Sequence, residues 1–240
     1  MKLDDVKKLQ QKKYREEFGH FLVEGEHLVL ELQKAAIKIP SLKNSELFVT
    51  EQYQAWQSDF KTHVITEKQM AQISDTKTPQ GILAVVPFLP SSSSPTKTER
   101  AIYLYEVQDP GNLGTILRTL AWFGNFRLLL SPNSVDPYNP KVVRSSMGAI
   151  FHVAMELDVP LDALKNRFKK IACLDMQGKP LSDASLKDFD CYLFGNEARG
   201  VPHEYLSDLH AQAFTIHGCG AIESLNLASA VNICVYELTR

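Results

Sequence analysis

The sequence predicts an α/β protein in two parts, a small α/β sandwich followed by a larger domain whose parallel sheet is covered by helices. Helical and extended patterns alternate along the chain, an order typical of α/β domains. Apolar runs of the second part, such as CYLFG at residues 191–195, lack polar alternation, as strands buried on both faces do. Between the parts, PFLPSSSSPTKTER at residues 87–100 is too rich in serine and proline to build a core. We therefore expect a first domain over residues 1–90, a linker over 91–99 and a second domain over 100–240.

Periodicity places the elements of the first part. Apolar residues at helical spacing predict helices over residues 4–17, 26–36, 51–59 and 67–74. Short β-rich runs predict strands over residues 21–23, 46–50, 62–65 and 82–86.

The alternation is stronger in the second part. Strands are predicted over residues 101–107, 126–130, 152–157, 170–176, 191–195 and 213–217, and helices over 113–123, 140–149, 160–169 and 224–239. Parallel sheets bind ligands at the carboxyl ends of their strands. The loops that follow the strands are therefore where chemistry is expected.

Composition excludes several classes of protein. With 240 residues, 44% hydrophobic and 22% charged, the chain is neither disordered nor fibrous. It has no apolar run of about 18 residues and no apolar leader segment, so we expect no membrane span and a cytoplasmic protein.

The cysteines lie far apart without a C-x-x-C motif, and no H-E-x-x-H motif occurs. We therefore expect reduced thiols and no metal site.

Charge alone does not identify a partner. The formal net charge is -2, so a nucleic-acid partner would need a local basic patch. The densest cluster lies within residues 7–15 and consists of Lys7, Lys8, Lys12, Lys13 and Arg15. A solvated helix face would give the same pattern.

The first informative loop is EVQDPGNLGTILR at residues 106–118, where a strand turns into a helix. Asn112 can cap that helix. Gly114 and Arg118 are four residues apart, so they share one helix face, and the fork of donors on Arg118 suits a phosphate. A tight strand-to-helix connection with an exposed arginine is the alternative.

The second loop is LFGNEARGVP at residues 193–202, which follows an apolar strand directly. Gly195 permits a close backbone approach, and Glu197 could pair with a cation or accept a hydroxyl proton. A glycine-rich turn with a surface ion pair would look the same.

The third loop, IHGCGAIESLN at residues 216–226, leads into a long apolar helix. Ser224 fits an N-cap of that helix. Capping by Ser224 leaves Asn226 unexplained, because it is a polar residue at the entry to an apolar helix.

Together the loops carry a specific pattern. N-x-G-x-x-x-R at residues 112–118, F-G-N-E-x-x-G at 194–200 and I-(loop)-E-S-L-N at 216–226 closely resemble the three motifs of the SpoU/TrmH family. These proteins are S-adenosylmethionine-dependent RNA ribose 2'-O-methyltransferases of the SPOUT superfamily. Residues 142–153, VVRSSMGAIFHV, also look like that family.

The front of the chain shows a second resemblance. KKYREEFGHFLVEGEHLV at residues 12–29 and TPQGILAVV at 78–86 are similar to the ribosomal-protein-like RNA-binding domain often fused ahead of this catalytic domain. The resemblance favours Lys12, Lys13 and Arg15 as RNA-binding residues, together with Arg144 of the intermediate segment.

The resemblance also implies a fold and a cofactor site. The C-terminal part would be threaded into a deep trefoil knot, which holds S-adenosylmethionine largely through backbone groups. By motif position the cofactor-binding residues are Gly195, Ile216 and Leu225, and Leu193 and Phe194 join them because they belong to the same loop. Such proteins form homodimers whose site is completed across the interface.

The catalytic residues carried over by motif are Arg118, Glu197, Asn112, Ser224 and Asn226. The position of Arg118 has the central role. An arginine holds its proton strongly and is a reluctant base, so we favour Arg118 binding a phosphate and lowering the pKa of the ribose hydroxyl. Glu197 would hold the guanidinium through a bidentate pair. Asn112, Ser224 and Asn226 would orient the ribose, the phosphate or Arg118.

The resemblance therefore predicts methyl transfer to a ribose 2'-hydroxyl of structured RNA, with ribosomal RNA favoured over transfer RNA. Two alternatives stay open: a catalytically idle RNA-binding protein of the same fold, and a SPOUT enzyme that methylates a base. The sequence does not name the nucleotide.

Overall fold

A computed structural model describes residues 1–90 and 99–240. Except for Glu99, the linker predicted over residues 91–99 lies outside the described residues. Contacts divide the described chain into two compact units, of which the first comprises Met1–Pro90 together with Asp136–His152. The predicted domain boundaries stay a prediction, and the packing of residues 136–152 with the first unit is a feature that the sequence did not indicate.

The helices, in chain order, are α1 (Leu3–Lys8), α2 (Lys12–Phe18), α3 (Glu26–Lys38), α4 (Glu67–Ile73), α5 (Pro110–Phe123), α6 (Pro140–Ser146), α7 (Leu164–Arg167), α8 (His203–Asp208) and α9 (Leu227–Thr239). The strands are β1 (His20–Glu24), β2 (Glu46–Val49), β3 (Lys61–Val64), β4 (Ile82–Pro87), β5 (Arg100–Leu104), β6 (Phe126–Leu130), β7 (Ala154–Glu156), β8 (Ile171–Pro180), β9 (Cys191–Phe194) and β10 (Gln212–Thr215).

The first unit is built on a four-stranded sheet of order β1-β4-β2-β3. Strand β4 is antiparallel to both neighbours, and β2 runs parallel to β3. Helices α1 and α4 cover the sheet through a buried apolar cluster that includes Val6, Leu9, Met70, Ile73 and Leu83. The predicted small α/β sandwich is therefore confirmed. The helix predicted over residues 51–59 is only a single 3-10 turn, Glu51–Tyr53.

The helix predicted over residues 4–17 is divided into α1 and α2. Arg15 gives the physical reason, because its Nη1 donates to the carbonyl oxygens of Leu9 and Gln10, each at 2.8 Å. In an unbroken helix those carbonyls would accept backbone N–H groups four residues later. The buried guanidinium takes their place, so the chain bends between the helices.

The second unit holds a six-stranded sheet of order β10-β8-β9-β5-β6-β7 in which neighbouring strands are parallel. This confirms the predicted parallel sheet. Strands β5 and β9 lie side by side in its middle, and residues Ala101–Leu104 and Cys191–Phe194 are at most 2% exposed. Strand order does not define how the chain threads, so the trefoil knot stays a prediction.

Across residues 1–90 and 99–240, no helix has both the length and the apolar character needed to cross a bilayer.

Candidate active site

Helix α5 begins directly after β5, and Asp109 caps it. The Oδ1 of Asp109 accepts the backbone N–H of Asn112 at 2.8 Å, and Pro110 occupies the first helical position. The predicted capping role of Asn112 is therefore wrong. Because Pro110 has no N–H to satisfy, the helix starts two residues earlier than Asn112, whose side chain is free for other partners.

The side chain of Asn112 joins the three predicted loops. Its Oδ1 accepts from Nδ2 of Asn226 at 2.8 Å, and its Nδ2 donates to Oε1 of Glu197 at 3.2 Å. Asn226 is also the N-cap of α9, because its Oδ1 accepts the backbone N–H of Ser229 at 3.2 Å. The structure thus places these three predicted catalytic residues in one hydrogen-bonded chain, Asn226–Asn112–Glu197.

The prediction that Ser224 caps the last helix is wrong. Helix α9 starts at Leu227, and the cap is Asn226. Ser224 lies in the exposed stretch 217–226, and its hydroxyl has no hydrogen-bond partner in the part of the chain that the structure describes. Asn226, the polar residue that capping by Ser224 left unexplained, is therefore the residue that ends the loop and caps the helix.

Glu197 faces the start of α5. Its carboxylate accepts the backbone N–H groups of Gln108 and Asp109, each at 3.2 Å, besides the amide of Asn112. Within one chain the described contacts do not include the predicted pair between Glu197 and Arg118. The N–H groups at a helix start are favourable partners for a carboxylate. Here they donate to the Glu197 oxygens that were predicted to pair with the Arg118 guanidinium.

Arg118 lies on α5 and is exposed. Among the described residues, none forms a hydrogen bond or ion pair with its guanidinium. All five of its N–H donors are therefore available to a ligand or to another chain.

A tight loop follows β9. The backbone of Asn196 exchanges hydrogen bonds with that of Gly200 at 3.1 and 2.9 Å. The Oδ1 of Asn196 accepts the N–H groups of Ala198 and Arg199, and its Nδ2 donates to the carbonyl of Glu106 at 2.7 Å. Asn196 is 7% exposed and so ties the loop after β9 to the loop after β5.

Gly195 has no room for a side chain. A Cβ atom at that position would lie 2.4 Å from the carbonyl carbon of Gly200. Of the other predicted cofactor-binding residues, Leu193 and Phe194 are buried at the end of β9, whereas Leu225 is 45% exposed. Ile216 follows β10 and is half-buried.

Sequence reasoning missed several residues that shape the site. Gln108 Nε2 donates to the carbonyl oxygens of Glu106 and Asn133, at 2.9 and 2.8 Å. The Asp-Pro pair at the start of α5 is a helix-start signal that could have revealed the cap of Asp109. Nothing in the sequence signals the bridging role of Gln108, which depends on the neighbouring strand β6.

The predicted RNA-binding residues of the first unit behave differently from one another. Lys12 and Lys13 are exposed, and Arg144 is 34% exposed with Nη1 2.8 Å from Asp75. Arg15 is 2% exposed and its Nε and Nη2 donate to Asp136 at 2.9 and 2.6 Å, so these contacts give no support to its predicted role in RNA binding. Its donors serve the interior of the first unit.

Comparison with known proteins shows the family. The sequence model of the SpoU rRNA methylase family matches residues 99–236, and that of the MRM3-like substrate binding domain matches residues 2–84. This chain belongs to the SpoU rRNA methylase family. The predicted reaction is confirmed at that level: S-adenosylmethionine-dependent methyl transfer to a ribose 2'-hydroxyl of RNA.

Similar proteins cover nearly the whole chain. The 23S rRNA (guanosine(2553)-2'-O)-methyltransferase RlmP of Bacillus subtilis is 33% identical over 99% of this chain and 95% of its own length. A TrmH-family protein from Porphyromonas gingivalis has a TM-score of 0.84 at 30% identity, covering 98% of this chain and 96% of its own. An AdoMet-bound rRNA methyltransferase from Sinorhizobium meliloti has a TM-score of 0.84 at 26% identity, covering 98% and 93%.

The residues of this SpoU-family chain fit S-adenosylmethionine. In the described chain, residues 217–225 take part in no backbone–backbone hydrogen bond, so their N–H and C=O groups are free for a polar ligand. The same stretch exposes Ile222 (72%) and Leu225 (45%), which could cover an adenine ring. The tight turn after Gly195 adds a second segment of closely packed backbone.

Proposed function

We propose that this chain methylates a ribose 2'-hydroxyl of ribosomal RNA, with Asn112, Glu197 and Asn226 as a pre-organised polar chain and Arg118 as the phosphate-binding group. The observation that carries the proposal is the Asn226–Asn112–Glu197 chain, which unites all three loops. The names of similar proteins support ribosomal RNA as the substrate class, since RlmP acts on a guanosine of 23S rRNA.

The chemistry explains why this arrangement is useful. When bound, S-adenosylmethionine would supply a methyl group on a sulfonium, from which the neutral thioether S-adenosylhomocysteine would leave as the O–C bond forms, and the hydroxyl proton would pass to water. The protein must therefore align the weakly nucleophilic hydroxyl and stabilise the negative charge that develops on its oxygen. The amides of Asn112 and Asn226 each keep one N–H donor for the ribose oxygen, while the carboxylate of Glu197 holds the amide of Asn112 in place.

Arg118 would act through charge. A guanidinium group is a poor base, whereas its planar fork of donors matches a phosphate. A guanidinium next to the ribose lowers the pKa of the hydroxyl by favouring the alkoxide. Within its own chain Glu197 accepts the N–H groups at the start of α5, and its predicted pairing with Arg118 stays a prediction.

A homodimer is part of the proposal. Helices α5 and α9 lie side by side, with Thr119 Oγ1 2.5 Å from Asn232 Oδ1 and the rings of Phe123 and Tyr236 6.3 Å apart. Trp122 is 85% exposed, Tyr236 55% and Ile233 41%. Exposed apolar side chains on adjacent helices are typical of an interface between proteins.

This apolar face includes the catalytic helix. Arg118 precedes Trp122 by four residues, so both side chains project from the same side of α5. A second copy docked on this face would bring its own loops next to Arg118. We therefore place Arg118 beside the cofactor of the partner subunit, as the resemblance implies.

The first unit would bind the substrate. Residues 2–84 match a substrate binding domain, and we propose Lys12, Lys13 and Arg144 as RNA contacts. Arg144 would exchange Asp75 for a phosphate. We keep the predicted boundaries of residues 1–90 and 100–240, a deep trefoil knot in the second domain and a cytoplasmic location as parts of this proposal.

The test is labelled methyl transfer from S-adenosylmethionine to unmodified 23S and 16S rRNA transcripts, followed by nucleoside analysis. We expect a 2'-O-methylated nucleoside from the wild-type chain. Arg118→Ala should abolish transfer and keep cofactor binding, while Arg118→Lys should keep a small part of the rate. A methylated base would identify a base-modifying enzyme instead. Absence of any product, with RNA still bound, would identify a catalytically idle RNA-binding protein.

A further inference from the structure

A second arginine, Arg199, lies next to the Asn226–Asn112–Glu197 chain and has no part in the proposed chemistry. Arg199 Nη2 donates to Glu106 Oε2 at 2.6 Å. The side chain of Arg199 is nevertheless 70% exposed, whereas that of Glu106 is only 19% exposed. The carboxylate is therefore the fixed member of the pair, and most of the guanidinium faces outward.

Glu106 is held rigidly after β5. It has a φ of 48°, a left-handed conformation that is uncommon for residues other than glycine. Its backbone N–H donates to Ser131 Oγ at 2.7 Å, and its carbonyl accepts from the amides of Asn196 and Gln108 at 2.7 and 2.9 Å. Three side chains thus hold one residue in a conformation that aims its carboxylate at Arg199.

Arg199 is presented by an equally constrained loop. Its N–H donates to Oδ1 of Asn196 at 3.1 Å, and the bridge between Asn196 and Gly200 closes the turn around it. The loop follows β9, and Glu106 follows the neighbouring strand β5. Arg199 therefore lies at the carboxyl edge of the two central strands, where α/β sheets bind ligands.

The pair is poorly explained as a device for stability. Ion pairs this exposed contribute little to folding. A guanidinium has five N–H donors in a fixed plane, and Glu106 takes one of them, so the others remain oriented toward solvent. This is the arrangement suited to bidentate binding of a phosphate.

We propose that Arg199 binds a backbone phosphate of the substrate RNA, separately from Arg118, and that Glu106 is the positioning residue that orients it. The proposal rests on the proposed function, since it assumes an RNA strand at this edge of the sheet. Arg199 would determine how firmly RNA is held next to the cofactor loops, and it would have no part in the chemical step.

The experiment compares Arg199→Gln and Arg199→Lys with a matched control, Arg167→Gln. Arg167 also forms an exposed Arg–Glu pair in the same unit, with Glu156 at 2.7 Å, but it lies on α7. Each full-length variant is tested for methyl transfer to 23S rRNA transcripts and for S-adenosylmethionine affinity by calorimetry. Binding of the same RNA is measured in the presence of S-adenosylhomocysteine. The salt concentration is varied from about 50 to about 200 mM.

For Arg199→Gln we expect the KM for RNA to rise about tenfold, with kcat within about twofold of wild type. The slope of log affinity against log salt should fall by about 0.7 to 0.9, the equivalent of one phosphate contact. Arg199→Lys keeps the charge and loses the fork, so it should retain the wild-type slope with an intermediate KM.

Equal KM and salt slope in Arg199→Gln and Arg167→Gln would overturn the proposal, as would a loss confined to S-adenosylmethionine affinity. The binding titration needs no turnover, so it decides the role of Arg199 even if the wild-type chain transfers no methyl group. That latter result would count against the proposed function alone.

Discussion

Replacing Arg15 by methionine should unfold the first unit more easily. The side chain of Arg15 is 3% exposed and that of Asp136 11%. The arginine donates two hydrogen bonds to this carboxylate and two to the carbonyls of Leu9 and Gln10. Removing one member of a buried pair typically costs 3–5 kcal/mol. Water can reach the partly exposed Asp136, so we expect a loss near the lower limit, about 3 kcal/mol.

Urea denaturation followed by circular dichroism measures this loss, and hydrogen exchange shows where it acts. Exchange should accelerate over residues 136–152, because Asp136 begins the segment that packs with the first unit. Lys12→Met is the matched control, since Lys12 is 58% exposed in a 3.6 Å pair with Glu16. It should shift stability by no more than about 0.5 kcal/mol. If Arg15→Met cost no more than this control, the reasoning would be refuted.

Three further changes probe the second unit. Asn112→Ala should lower kcat about 10- to 100-fold in the methyl-transfer assay, because it breaks the polar chain. The free energy of unfolding should change by less than about 1 kcal/mol, because the lost hydrogen bonds are exposed. An unchanged kcat would show that Asn112 does not belong to the active site. Gly195→Ala should weaken S-adenosylmethionine binding and lower the free energy of unfolding by about 1–3 kcal/mol, since the new Cβ would lie 2.4 Å from Gly200. Wild-type affinity for S-adenosylmethionine in calorimetry would contradict this prediction. Trp122→Glu should convert the dimer into monomers in analytical ultracentrifugation, and a dimer that persists would place the interface elsewhere.

Local patterns in the sequence were sufficient where a residue's role depends on its immediate neighbours. Unbroken apolar runs identified β5 and β9 as buried parallel strands, and both lie in the middle of the sheet. The motifs of the three loops resemble those of the SpoU/TrmH family, and that resemblance identified the chemistry. The positions of the loops after strands bring them to one edge of the sheet. Family comparison agrees with that identification.

The errors arose where two candidates compete for one local role. Asp109 and Asn112 are both good N-caps, as are Ser224 and Asn226, and propensity ranks them nearly equally. The structure selects Asp109 because Pro110 follows it, and Asn226 because its amide can also reach Asn112. The first choice depends on the adjacent Pro110, whereas the second depends on a partner that is 114 residues away in the chain.

The amino-acid sequence alone determined the parallel sheet, and its motifs, through their resemblance to the SpoU/TrmH family, gave the reaction class and the candidate residues of the three loops. Each of these leaves a short-range pattern. Only the tertiary structure decided which side chains meet: that Glu197 faces the start of α5, that Arg118 is left unpaired among the described residues, and that Arg15 is buried against Asp136. Hydrogen bonds and burial depend on distances in space, and a charged side chain looks the same in the sequence whether water or a carboxylate surrounds it.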